Sequence, residues 1–548
     1  MSRRRTAPST PRTSGGTCAG TAEAVTELRP ALSGYLHQRL IALQDGFRHN
    51  IAIVGPVGSG KTVLVQQLLA TSAAQVVKLH CALQSDSMRA FLKRWTLAVL
   101  RAALDQPSAS SVDVLLEQAD RRVPRTAAAI RALDRYEHGR LPAEAFSHAL
   151  DVVPILHQEL QRPCVLVLDE FLALEELGLT HAIHELGKRV MTWPFALFVL
   201  ISSAQERARD VLRERLHVLF GQFEVLPMGS VDTASVMSWM EQELPGAESV
   251  QELLRFLVHW TQLSPWYATV LLKRTRELLR LQRQRRVTHA VLLQAAWDVL
   301  GSVDGGLHHW CAGRLQRLVP EKHGPLARQA LIRIAGGART LHTIGQQCGG
   351  SRRLSQALHL LASHDLIERK GTCWLIPDQV LACWLNAIAG PQDQGLPTSQ
   401  ERFEGVLKDM WLEWQAATTR PLAARMTDLF ERFRDETVSL DHKTGRLPPF
   451  TSFAHHRVSP DGGTYVVADG PERRWCCLIH DRPVTESDIT AFEQFCRAQA
   501  PRPARKVVVI RHPLELNATL LAKEADMWVW RPDDLNLLFL LYGQPVLG

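Results

Sequence analysis

At 548 residues the chain exceeds what one hydrophobic core can organise, and roughly three domains of about 100–200 residues each are expected. Apolar residues at 46% and charged residues at 22% predict that those domains are globular, and the absence of any apolar run near ~20 residues argues against a membrane-spanning protein. A formal charge of +7 is a mild excess that permits a nucleic-acid partner without requiring one.

The N-terminus, MSRRRTAPSTPRTSGG, carries Arg3, Arg4, Arg5 and Arg12 with no acidic residue and no apolar segment behind them. Residues 1–27 therefore read as a disordered basic tail rather than a secretory signal or an amphipathic transit peptide. The ten cysteines contain no C-x-x-C pair, only Cys476 and Cys477 being adjacent, which is neither a zinc spacing nor a disulfide framework. Reduced thiols and a cytoplasmic location are expected.

Over residues 28–229, short apolar runs rich in β-branched residues (51–54, 76–81, 164–168, 195–202 and 223–226) alternate with segments of helical period. This pattern predicts an α/β fold with a parallel sheet covered by helices. The first run leads directly into Gly55-Pro56-Val57-Gly58-Ser59-Gly60-Lys61-Thr62-Val63, which contains G-x-x-x-x-G-K-T between a predicted strand and a predicted helix. Such a P-loop needs glycines so that its backbone can wrap phosphates, a lysine to neutralise them, and a hydroxyl for magnesium. The context of strand and helix sets it apart from a chance glycine-rich turn.

The run PCVLVLDEF ends in Asp169 and Glu170, placing two carboxylates at the C-terminal mouth of a buried strand, where open α/β sheets form their sites. Asp169 is the candidate magnesium ligand beside Thr62, and Glu170 the candidate base for an attacking water. The next run ends in Ser202 and Ser203, for which two readings stand: a polar sensor of the γ-phosphate, or a cap on the following helix. Arg207, Arg209, Arg213 and Arg215 follow, either solvated or supplying an arginine to a neighbouring subunit.

Residues 230–323 lose the β-runs and show apolar spacing of three and four, predicting a helical lid. Residues 324–389 read as a winged helix, with Arg352, Arg353, Arg369 and Lys370 on its recognition helix and wing, where basic residues contact DNA phosphates; a protein-docking winged helix is the alternative. Residues 390–400 read as a linker, and 401–548 as a final α/β domain.

GPVGSGKT, VLVLDEF, LFVLISS, LFGQFEVLPM and WLIPDQVLACWL together resemble the archaeal-type ATPases, P-loop proteins near the AAA+ and STAND groups, from about residue 30 onward. The resemblance implies ATP as ligand, since no guanine-specific N-K-x-D motif is present, and ATP hydrolysis with Mg2+ as the activity. It also implies a nucleotide contact at Pro265, in Leu263-Ser264-Pro265-Trp266, and an arginine where this sequence has Gln222, a departure that weakens the case for an arginine acting in trans. Trp266 and Tyr267 are equally explained as core.

Members of this kind often end in a restriction-endonuclease-like fold. Here Tyr465 stands at the place of the metal-binding Asp, Asp469 follows at a turn, and WCCLIHD carries no Glu-x-Lys, so a nuclease-like fold without nuclease activity is expected. The functional expectation is an ATP-driven switch acting on DNA or an unknown protein partner, with a homo-oligomer among the arrangements allowed. An adaptor of a mobile-element or antiphage system, assembling on DNA with little turnover, is the alternative.

Overall fold

The computed structural model describes residues 28–547 except 72–74, 85–86, 108–110, 137–141, 178, 180, 216–222, 229–230, 245–250, 347–350, 441–442, 458–462, 472 and 481. The basic tail, Gln222 and the glycine pair at 349–350 lie outside the described residues, as does the side chain of Arg215. Two compact units divide the chain, residues 1–239 and 240–548. Among the described residues, no helix is long and apolar enough to cross a membrane.

The first unit is built on five parallel strands, β1 (Asn50–Val54), β2 (Val77–Ala82), β3 (Cys164–Asp169), β4 (Ala196–Ser202) and β5 (Phe223–Pro227), in the order β2-β3-β4-β1-β5. Strands β1, β3 and β4 are buried at every position because helices cover both faces of the sheet, which explains their unbroken apolar runs. One core packs Ala52, Leu166 and Phe198 against Phe91 and Trp95 of the helix Met88–Leu104. The opposite core packs Ile53, Val167 and Val199 against Leu64 and Leu68 of the helix Lys61–Thr71. Since β1 lies between β4 and β5 while β3 lies beyond β4, the loops after β1 and β3 emerge at the same sheet edge, on either side of the β4 end.

The second unit begins with helices, among them Gln251–Thr261, Pro265–Leu281 and His289–Ala296. Residues 324–375 then run through the helices Gly324–Ala335, Leu341–Gly345 and Ser351–Ser363 into a hairpin of β6 (Glu368–Lys370) and β7 (Cys373–Leu375). The segment read as a linker behaves otherwise at its start: Gly390–Asp393 is helical, Gly390 is buried, and Arg328 pairs with Asp393 at 2.6 Å. Its glycine and proline sit where a preceding helix already supplies the backbone direction, Pro391 falling in the first turn, where a missing N–H costs nothing.

The chain ends in a hairpin of β8 (Glu436–Leu440) and β9 (Lys443–Leu447) and a five-stranded sheet of β10 (Ser452–Arg457), β11 (Thr464–Asp469), β12 (Arg474–His480), β13 (Arg505–Ile510) and β14 (Met527–Trp530) in sequence order. Its first three strands are antiparallel and its last three parallel. The β6–β7 hairpin is seated on β8. The Thr372 N–H donates to the Thr437 carbonyl at 2.8 Å, the Thr437 N–H donates to the Thr372 hydroxyl at 3.0 Å, and Cys373 and Leu375 enter the apolar core of the terminal domain with Phe430 and Trp528.

Candidate nucleotide site

The loop after β1 is fixed by its glycines and by what lies behind it. Gly58 and Gly60 hold φ of 77° and 89°, a region open to glycine at little cost. A Cβ on Gly55 would stand 2.6 Å from Met228 Cβ, so the backbone there approaches the end of β5 too closely for any side chain. The Leu64 N–H donates to the Gly60 carbonyl at 2.9 Å, starting the helix Lys61–Thr71 and leaving the first N–H groups of that helix without intrahelical partners.

Lys61 is buried, and its ammonium donates to the carbonyls of Gly55 at 2.7 Å and Pro56 at 2.9 Å, so the cation is held inside the loop it must serve. Ser59 Oγ is buried with no hydrogen-bond partner among the described residues. An orphaned hydroxyl, a buried ammonium and open helix N–H groups around a glycine cradle fit the oxygens of a phosphate.

Across the cradle, the Thr62 hydroxyl donates to Asp169 Oδ2 at 2.7 Å. These two oxygens, side by side, suit a hard divalent cation such as magnesium. Burial by itself raises the Asp169 carboxyl, but the nearby His80, the hydrogen bond from Thr62 and the charge of Lys61 outweigh it, holding Asp169 below the usual carboxylate range. His80, on β2, stands with Nε2 3.6 Å from Asp169 Oδ2. Sequence reasoning missed His80. The signal was available in VKLHCA, a strand adjacent to β3 with a histidine level with Val167, two residues before Asp169.

Glu170 adopts φ of 56°, a left-handed conformation uncommon for a residue with a Cβ. That turn brings Oε2 to the Ser203 N–H at 3.0 Å, joining the ends of β3 and β4, while Oε1 carries no hydrogen bond from a described residue. Ser202 is fully buried, and its hydroxyl accepts the Ala204 N–H at 3.1 Å, organising the turn ahead of the helix Gln205–Asp210. The structure therefore groups Gly55 to Val63, Asp169, Glu170 and Ser202 at one sheet edge.

Arg207 pairs with Glu175 at 2.6 Å and Arg209 with Glu206 at 2.9 Å, while Arg213 is exposed. Pro265 opens the helix Pro265–Leu281 in the second unit, where Tyr267 is core and donates to Asp378 at 2.7 Å. Arg352 and Arg353 are exposed at the start of Ser351–Ser363. Lys370 pairs with Glu368 at 3.1 Å, and the Arg369 guanidinium donates to the Gly371 carbonyl at 2.9 Å and lies over Trp374. Asp469 ends β11 and pairs with Arg474, and Tyr465 packs on Phe492 and Phe495.

A glycine cradle with its lysine, facing a strand-end carboxylate pair on a parallel sheet of this order, defines a P-loop nucleotide-binding domain. Residues 32–200 match the family model described as AAA ATPase domain. The chain is similar to the Walker-type ATPase PABY2304 of Pyrococcus abyssi, at 14% identity over 66% of this chain and 94% of that one, with a TM-score of 0.43. It is also similar to the ORC2 protein of Aeropyrum pernix in its ADPNP–ADP complexes (15% identity, 72% and 95% coverage, TM-score 0.42). The ORC1 protein of Aeropyrum pernix in complex with DNA gives 14% identity, 68% and 98% coverage, and a TM-score of 0.38. No curated protein matches the chain.

Proposed function

We propose that the chain is a magnesium-dependent ATPase that works as a switch, its nucleotide state being read by DNA or by a protein partner. The observation that carries this reading is the meeting of four groups at one sheet edge: buried Lys61, the Thr62–Asp169 oxygen pair, and Glu170 held by the Ser203 N–H.

Gly58 and Gly60 let the loop backbone turn its N–H groups toward the β- and γ-phosphates, and Lys61 exchanges its loop carbonyls for phosphate oxygens. Thr62 and Asp169 would hold magnesium, which when bound neutralises charge on the phosphates. Glu170 keeps one carboxylate oxygen on Ser203 and offers the other to a water proton, acting as the base. Ser202, by shaping the turn at the β4 end, positions the Ser203 N–H that orients Glu170. Pro265 is the proposed nucleotide contact from the helical lid.

The segment 324–389 is the proposed winged helix, with Arg352 and Arg353 as its DNA contacts; Arg369 and Lys370 contribute less, since their donors are engaged within the hairpin. The terminal domain is proposed as a nuclease-like fold without nuclease activity. Asp469 spends its carboxylate on Arg474, and β12 reads RWCCLIH without Glu-x-Lys.

The test is Glu170→Gln. This variant should bind ATP as the wild type does while losing about a hundredfold or more in hydrolysis, the usual contribution of a positioned base. Hydrolysis at the wild-type rate would refute the role given to Glu170.

A further inference from the structure

The end of the helical hairpin formed by Pro265–Leu281 and His289–Ala296 concentrates positive charge that is only partly neutralised by the described residues. Residues 273–286 read KRTRELLRLQRQRR. Two of these arginines are engaged: Arg274 pairs with Asp298 at 2.7 Å and Glu277 at 3.1 Å, and Arg276 with Glu243 at 3.7 Å. Lys273, Arg280, Arg283, Arg285 and Arg286 are exposed, and their side chains make no ion pair or hydrogen bond with a described residue.

The backbone is arranged to keep them outside. The Gln284 N–H donates to the Leu279 carbonyl at 2.9 Å, closing the helix with its own acceptors. Arg283 sits at φ of 53°, the left-handed position where glycine or asparagine is the usual occupant. A long guanidinium there is a conformational expense that helix closure does not require. Basic residues near a helix C-terminus complement its dipole, but one or two serve that purpose. The N-terminus of His289–Ala296, capped by Thr288, returns to the same end of the hairpin with no acidic residue in its first turn. Burial disfavours protonation of His289, and the charge of Lys408, exposed on the helix Gln400–Thr419, adds to it.

From this placement we infer that the hairpin end is a docking surface for the phosphate backbone of duplex DNA. Four of the five free cations are arginines, whose planar fork matches phosphate oxygens. The stretch 273–288 contains no aromatic residue, so it offers no platform on which unpaired bases would stack, and a duplex backbone fits better than a single strand. Of its leucines only Leu281 is exposed, at 73%, while Leu278 and Leu279 are buried, so it presents no apolar face to a bilayer. The inference deepens the DNA reading given above and moves the larger part of the contact away from the winged helix.

The test is binding of a fluorescein-labelled DNA duplex by anisotropy across a salt series, with the full chain in each case. Arg283→Ala/Arg285→Ala/Arg286→Ala should weaken binding by about tenfold or more and flatten the slope of log affinity against log salt by about 2.7, at ~0.9 per phosphate contact. The corresponding triple Lys variant, which keeps the charge, should retain the wild-type slope. A loss in the triple Ala variant with none in Arg352→Ala/Arg353→Ala upholds this surface and rejects the winged-helix contact. The reverse result rejects this surface and leaves the winged-helix contact standing. Wild-type protein that ignores the duplex, or that prefers phosphatidylserine vesicles to it, overturns the proposal.

Discussion

Asp169 shows how a buried carboxylate is kept available for a cation. Removing it from water favours its neutral form, yet Thr62, His80 and Lys61 each favour the anion, and their sum prevails. The carboxylate proposed to hold magnesium is thereby kept in its anionic form at neutral pH. His259 shows the opposite balance. Burial, aided by the charge of Arg425, lowers its imidazole to about 4. The unfolded chain, with an ordinary histidine near 6.5, then binds more protons between those two values. Stability should therefore fall as pH drops from about 6.5 to about 4, and level off below. Thermal melts of the wild type and His259→Gln across this range check it: the variant should lose less stability, and identical slopes would contradict the burial argument.

Among the elements, the β6–β7 hairpin is the one whose role sequence could not reveal. Gly371 has φ of 72°, and a Cβ there would stand 2.2 Å from the Thr437 carbonyl oxygen. Gly371→Ala should therefore lower the unfolding midpoint, by a free energy of about 1–3 kcal/mol for a strained left-handed residue, with more from the displaced contact. An unshifted midpoint in a calorimetric scan would mean that the hairpin is not held on β8. As a chain signal, Gly371 marked only a turn, because its partner lies 65 residues away in sequence at Thr372–Thr437. By contrast, the P-loop was legible in full: its glycines, lysine and threonine are contiguous, and the strand and helix that frame it have strong local periods. Asp169 and Glu170 stood out for the same reason, since a buried strand ending in two acids breaks the apolar pattern. His80 was not, because its meaning depends on β2 lying beside β3, which periodicity does not determine.

For the molecule as a whole, the two units differ in how much their sequences declared. Residues 32–200 combine a contiguous motif with a match to the AAA ATPase domain, so fold and site agree there. In residues 240–548 the elements were readable, but the engagement of Arg369 and Lys370 within the hairpin and the free arginines at 283–286 emerge only from packing and pairing. Charge in the sequence says how much basicity there is; the structure says which part of it remains unspent.

Equilibrium titration of ATP onto the full chain by calorimetry, with and without magnesium, compares wild type with Lys61→Ala. The account predicts saturable binding by the wild type that strengthens with magnesium, and loss of that binding in the variant. Equal binding by both proteins would contradict a triphosphate seated between the glycine loop and Asp169.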